Sequence, residues 1–320
     1  MEIIKLNPAF KDYLWGGTKL KDKYQMHSDL KVIAEAWELS AHIDGPSIVT
    51  NGVYEGKTFV EYLEAMGKDI WGSNAQHFES FPILIKFIDA KQALSIQVHP
   101  DDAYALRVEH EYGKNEMWYI VDCEPGSFLY YGVNQNLTKE EFREHIENNT
   151  ILDVLQKVEV KKGDCFFIKA GTIHAIGAGC LICEIQQNSN STYRVYDFGR
   201  VGVDGKPREL HIDKAVDVSM LTPSNKNGEA EGKKEIHEHY TSTLLAKSEY
   251  FTTVAYIVNK ELSIFVDDTS FHAYIILSGE GVMKSSHQEV KFKKGDSLFV
   301  PAGFGTFEII GDCNIIETFI

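Results

Sequence analysis

KKGDCFFIKAGTIH, residues 161–174, and KKGDSLFVPAGFGT, residues 293–306, agree at seven of fourteen positions without a gap. Each reads as a charged turn carrying Gly163 or Gly295, then a short apolar strand, then a second turn at Gly171 or Gly303. A strand unit that occurs twice predicts two related β units in one chain. The strand preceding each copy repeats as well: EMWYIV from Glu116 and FHAYII from Phe271, both with Tyr at the fourth place. On that alignment the places held by Glu116 and His174 in the first unit hold Phe271 and Thr306 in the second. Two polar positions are lost together, as expected of a single site present once and absent once.

Around the repeat the chain is mostly short strands between turns. ILIKFIDA, ALSIQVH, EMWYIVDC and CLICEIQQ occur in the first part, and FTTVAYIV, HAYIILSG and EVKFKKGD in the second. Such spacing predicts sandwiches or barrels. Helix signals are few. LTKEEFREHIENN opens on a capping box, Thr138 to Glu141, and TFVEYLEAM and DDAYALRVEHE carry apolar residues at helical spacing. TPSNKNGEAEGKKE, residues 222–235, is polar and unpatterned. The expected division is an N-terminal domain over 1–220, a linker or long loop over 221–239 and a C-terminal domain over 240–320.

Composition narrows the function. At 320 residues the chain can bury two ordinary cores, and a formal charge of −15 argues against nucleic acid or an anionic membrane as partner. A small anionic substrate stays open, because a few Lys or Arg can reverse the field within one cleft. The start, MEIIKLNPAF, lacks the basic and apolar regions of a signal peptide, and no apolar run nears the roughly 18 residues of a membrane helix. Five cysteines, an odd number, predict a reduced, cytoplasmic protein. Cys180 and Cys183 in CLIC sit on what reads as a strand, where positions three apart face opposite ways, so they are expected in the core.

LSIQVHPDD supplies further polar residues for one site. Gln97 and His99 lie two apart on a strand and leave the same face, and Ser95 shares it. With Glu116 and His174 they make two imidazoles, one carboxylate and one amide oxygen, a set that suits zinc or another first-row ion in an open site.

A glycine-bounded unit of the form H…E…GD-x6-G-x-x-H resembles the cupin family of small β-barrels. YLWGGTKL, EAWELSAH, KFIDAKQALSIQVHPDD, GKNEMWYIVD, AGTIHAIGAG and EIQQNSNSTYRVYDFGR resemble, more closely still, the type I mannose-6-phosphate isomerase (phosphomannose isomerase) family in its short bacterial form. The resemblance runs from about residue 7 to 215; the second unit is similar to that family's C-terminal domain more loosely. It implies a mostly-β fold of two cupin (jelly-roll, double-stranded β-helix) barrels with a few short helices. The first barrel would be catalytic, and the second would lack the metal site. It implies one Zn²⁺ per chain held by Gln97, His99, Glu116 and His174. It also implies conversion between mannose 6-phosphate and fructose 6-phosphate by proton transfer between C2 and C1 through an enediol.

The resemblance puts Arg194 at the active site. A guanidinium does not readily give up its proton, so its expected role is electrostatic and orienting. The proton-transferring base is Glu184 or Lys114, with Glu184 favoured because Lys114 also suits an oxyanion or phosphate. Ser95 and Arg200 are the expected phosphate contacts, although YDFGR replaces the phosphate-proximal sequence of longer family members. The role of Lys86, alone in an apolar strand, and the oligomeric state stay open. Two rival readings remain: an iron-dependent cupin oxygenase with a two-His, one-carboxylate site, and a sugar-binding cupin without turnover.

Overall fold

The computed structural model describes residues 1–202, 205–224 and 227–320. In the first unit a six-stranded antiparallel sheet runs in the order Cys165–Ile168, Glu116–Cys123, Cys180–Gln187, Ile83–Ala90, Glu35–Leu39 and Ala9–Lys11. A five-stranded sheet runs Tyr193–Tyr196, Ile96–Val98, His174–Ile176, Phe128–Val133 and Leu155–Glu159. Ile88, Trp118 and Ile182 of the first meet Leu129, Tyr131 and Ile176 of the second in one buried cluster, so the two sheets face each other across a barrel interior. Period-two alternation sorts the rest. Every residue of Ile83–Ala90 is buried. Ile88 and Ala90 point into the barrel, while Ile83, Ile85 and Phe87 point away from it. Lys86 therefore belongs to the inward row.

The outward side of the six-stranded sheet is the inter-barrel core. Met117, Cys183 and Ile185 pack there against Phe271, Ala273, Ile275 and Phe299 of the second unit. The outward side of the five-stranded sheet is covered by helices Lys139–Glu147 and Ile212–Val218 through Phe142, Ile146, Ala215 and Val216. The expected capping box is present: Thr138 Oγ1 accepts from the Glu141 N–H, and Glu141 accepts from the Thr138 N–H. Helices also form at Phe59–Met66 and Asp102–Val108, as their spacing predicts. Cys180 lies in the barrel interior and Cys183 on the opposite face, both as free thiols.

The repeat is real in three dimensions, with Gly163 and Gly295 both in left-handed turns at φ +93° and +86°. The register corrects one part of its reading. Ile168 pairs with Glu116, and its repeat equivalent Val300 pairs with His272, not Phe271. The counterpart of Glu116 is thus His272, and Phe271 turns outward into the inter-barrel core. His174 lies opposite Gln97 as Thr306 lies opposite Phe265. The four positions Gln97, His99, Glu116 and His174 accordingly become Phe265, Asp267, His272 and Thr306. Asp267 is already engaged by the Thr269 N–H and hydroxyl at 2.8 and 2.5 Å.

Two features bear on the division at residues 220 and 240. The first strand, Ile4–Asn7, pairs with Ser297–Val300 and belongs to the second unit's ten-stranded sheet. In the 221–239 stretch, of which 225–226 lie outside the described residues, residues from Gly228 onward are tied to neighbouring strands. The Cys165 N–H donates to the Gly228 carbonyl at 2.9 Å, the Gly232 N–H to the Leu244 carbonyl at 2.9 Å, and Glu235–Ile236 forms a strand. These backbone groups have partners only against folded sheet, so the segment packs where they are.

Glu38 sits fully buried by the inter-barrel core with neither carboxyl oxygen hydrogen-bonded. Burial, with a smaller push from Asp296, raises its pKa well above 4.5. A raised folded-state pKa stabilises the fold below the unfolded value and loses that contribution as pH rises through the folded one. Glu38→Gln should therefore gain roughly 1–3 kcal/mol over the parent at pH 8. The gap should narrow toward pH 4.5, read by denaturant titration at both pH values; a gap independent of pH would contradict the assignment.

Candidate metal centre and substrate cavity

Sheet register assembles the site. In the five-stranded sheet one row across the strands reads Tyr131, His174, Gln97, Arg194. In the six-stranded sheet the facing row reads Trp37, Lys86, Glu184, Trp118. Residues in one such row share a face, so both rows point into the same interior. Glu116 lies two residues from Trp118 on the same strand and faces inward with it.

His99, Glu116 and His174 converge with one potential ligand atom each, all within 4.8 Å of one another, and all three are buried. His99 Nδ1 lies 2.8 Å from the Ser191 carbonyl and His174 Nδ1 2.8 Å from the Thr172 carbonyl. Each Nδ1–H therefore donates to backbone, which leaves both Nε2 atoms as lone pairs. Those two lone pairs stand 3.2 Å apart, and Glu116 lies 3.3 Å from His174 Nε2 and 3.7 Å from His99 Nε2. Burial pushes both imidazoles down, His99 well below the usual range and His174 to about 4, so both are neutral.

The Gln97 amide nitrogen is 3.4 Å from His174 Nε2; turned about its last bond, the amide offers its oxygen there instead. Neither Glu116 oxygen has a well-directed hydrogen bond, although Lys114 Nζ approaches to 2.9 Å. Burial, then the charge of Glu184, raises Glu116 to about 7. Two lone pairs and a carboxylate facing one another out of water are suited to hold a cation between them. The donor set, two nitrogens and one carboxylate with an amide in reach, fits zinc or a similar first-row ion.

The cluster adjoins a cavity of about 310 Å³, whose wall includes Gln97 and Lys114. Lys114 Nζ bridges the two, 3.1 Å from His99 Nε2 and 2.9 Å from Glu116. Glu184 lines the cavity beside Lys86, accepting from the Trp118 indole at 2.8 Å and lying 3.4 Å from Lys86 Nζ. Burial alone would raise the Glu184 pKa, but Lys114, Lys86 and the indole outweigh it and hold the carboxylate below its ordinary value. Burial likewise opposes the Lys86 charge, yet Glu35, Glu184 and Glu116 together raise its pKa. Lys86 is thus a charged strut between Glu35, at 3.7 Å, and Glu184, over the face of Trp37.

Ser95 and Arg194 line the cavity too. Arg194 Nη1 donates to the Glu209 carbonyl, and its Nε is buried without a partner. Arg200 does not line it. Its guanidinium is taken by Asp197 and by the Ala93 carbonyl, the latter at 2.7 Å. Arg208, which the sequence reading did not single out, lines the cavity in its place. No local signal marks it, since it lies outside every strand. Trp118 could have been found, because it is two residues from Glu116.

Comparison with known proteins agrees with this architecture. The family model for the catalytic domain of type I phosphomannose isomerase matches residues 3–123, and that for the mannose-6-phosphate isomerase cupin domain matches 241–320. The mannose-6-phosphate isomerase ManA of Bacillus subtilis is 38% identical, covering 98% of this chain and 98% of its own. The mannose-6-phosphate isomerase of Streptococcus mutans is 36% identical, covering 95% of this chain and 94% of its own. The crystal structure of the mannose 6-phosphate isomerase from B. subtilis superposes with a TM-score of 0.92 at 36% identity, covering 100% of both chains. The fold is that of the cupin isomerases. The chain belongs to the type I phosphomannose isomerase family.

Removing one imidazole leaves the buried carboxylate and the other lone pair short of a ligand. His99→Ala and His174→Ala should each weaken divalent-ion binding at least roughly 100-fold. Metal content after dialysis against a competing chelator measures this; full retention in either variant would mean the ion binds elsewhere.

Proposed function

We propose that this chain is a zinc-dependent aldose–ketose isomerase acting on mannose 6-phosphate and fructose 6-phosphate. The observation that carries the reading is the buried His99–Glu116–His174 cluster opening onto a cavity that holds an ionised Glu184 beside cationic Lys86, Lys114 and Arg194. The names of the full-length relatives support the substrate. His99, Glu116, His174 and Gln97 would hold the ion, and when bound it supplies Lewis-acid polarisation of a sugar oxygen.

The chain's own groups carry the proton. In the open-chain sugar, Glu184 removes the C2 proton and returns it to C1, while the O2 hydroxyl proton passes to O1; atoms and charge balance through an enediol. Lys86 and the Trp118 indole fix the Glu184 carboxylate in place, so it is oriented before substrate arrives. Lys114, the alternative base, lies against Glu116 and His99, and an ammonium there is suited to a developing oxyanion. Arg194 adds a fixed positive charge whose buried Nε has no other acceptor. Ser95 can donate its hydroxyl to the substrate. An odd count of five cysteines fits a reducing, cytoplasmic setting. Among the described residues no helix is long and apolar enough to cross a membrane.

Anaerobic conversion of mannose 6-phosphate by the zinc-loaded protein, abolished by a chelator and restored by zinc, is the expected result. Oxygen consumption with turnover would favour the oxygenase, and sugar-phosphate binding without conversion the non-catalytic cupin. Glu184→Gln should lower kcat about 100-fold or more with metal retained. Arg194→Ala should retain metal and lose roughly 100-fold in kcat; normal turnover in either variant would remove that residue from the mechanism.

A further inference from the structure

We propose that Arg208, oriented by Asp197, is the side chain that receives the substrate's phosphate, with Arg200 serving only to brace that end of the cavity; the proposal rests on the isomerase reading above. The position along the cavity comes first. Ser95 lies two residues from Gln97 on one strand face, or about 6–7 Å. The next strand runs antiparallel, with Arg194 opposite Gln97 and Tyr196 opposite Ile96. Asp197, one residue further, therefore lies toward the Ser95 end and away from His99. A hexose whose C1 and C2 sit at the metal cluster carries its 6-phosphate toward that same end.

Guanidinium groups crowd that end. Asp197 is buried and, among the described residues, is the carboxylate that hydrogen-bonds to both Arg200 and Arg208. It takes Arg208 through Nε and Nη2 at 2.7 and 2.6 Å, a two-point grip that leaves the Nη1 side of the fork for another acceptor. Arg200 spends its own donors on Asp197 and the Ala93 carbonyl. Arg194, the third guanidinium, also lines the cavity and keeps its buried Nε unpaired. Burial, then the nearby charge of Arg208, lowers the Arg194 pKa, against the opposing pull of Asp197 and Glu209. Three guanidinium groups gathered around Asp197, two of them at the wall of a cavity in a chain of net charge −15, favour an anion locally. Of the two arginines that Asp197 holds, only Arg208 lines the space an anion can enter.

Steady-state kinetics with mannose 6-phosphate, and competition by inorganic phosphate, test this in the zinc-loaded protein. Arg208→Ala should raise KM and the phosphate inhibition constant together, roughly tenfold to 100-fold, with a smaller fall in kcat. Arg208→Lys should recover part of the loss, and Arg200→Ala should lower thermal stability with a smaller effect on KM. Metal content and melting temperature of each variant report whether it is folded. A KM within twofold of the parent in folded Arg208→Ala, or a larger rise in folded Arg200→Ala, overturns the proposal. Calorimetric titration of inorganic phosphate separates this from the parent reading. If the unmodified protein never isomerises the sugar, that reading fails, while phosphate binding lost in Arg208→Ala still supports the anion site and binding retained overturns it.

Discussion

The first barrel is organised around a place where electron density is concentrated out of water. Two Nε2 lone pairs and a carboxylate meet within the buried wall, and each imidazole is locked by a backbone carbonyl behind it. Desolvating a carboxylate costs several kcal/mol unless a cation offsets it. That cost sets demands on the surroundings. The strands must be rigid enough to keep the groups together when they repel. The sheets supply this by putting His174 and Gln97 in register and covering both outer faces with apolar packing. The edge of Trp118 also meets the His174 ring at 5.2 Å, so the imidazole has little freedom to swing away.

From that centre outward the cavity alternates in sign. Glu116 is met by Lys114, Glu184 by Lys86, and Glu35 closes the sequence on the far side of Lys86. Each buried charge thus has an opposite neighbour, which is the condition for ions to persist at such burial. The arrangement also assigns the two candidate bases different characters. Glu184 is held ionised by cations and an indole hydrogen bond, ready to accept a proton but not strongly basic. On the proposed reaction, a base this weak would need the carbon acid made more acidic by cations at its oxygens, the part proposed for Lys114 and Arg194.

Much of this was legible because strands encode their faces with period two. Gln97 with His99, Lys86 in an apolar run, and Cys180 against Cys183 could all be sorted by counting. The glycine turns located the repeat, since residues with side chains rarely adopt the φ values found at Gly163 and Gly295. What escaped were relations between segments. Aligning Tyr119 with Tyr274 made Phe271 the counterpart of Glu116, whereas strand pairing makes it His272. A one-residue slip of this kind exchanges inside for outside, and similarity of apolar residues cannot detect it. The sequence names Arg200 and gives no sign of Arg208, which lies outside every strand. Asp197 decides between them by gripping both and leaving only one at the cavity.

The second barrel shows what the fold keeps when the metal set is gone. Register makes Tyr274 the counterpart of Trp118 and Glu317 that of Glu184. The tyrosine hydroxyl still donates to the carboxylate, at 2.5 Å, as the indole does at 2.8 Å in the first barrel. Here Tyr256 and His272 complete the shell of Glu317, at 3.0 and 2.7 Å, so that carboxylate is satisfied by protein alone. A closed polar cluster of this sort specifies packing rather than chemistry. Its consequence lies on the opposite face of the same strands, where Phe271, Ala273 and Ile275 press on the outer side of the catalytic sheet. Met117, between Glu116 and Trp118 on their strand, belongs to that contact and fixes the strand from behind. The second barrel thus serves by position: it is the wall against which Glu116 is held toward His99 and His174.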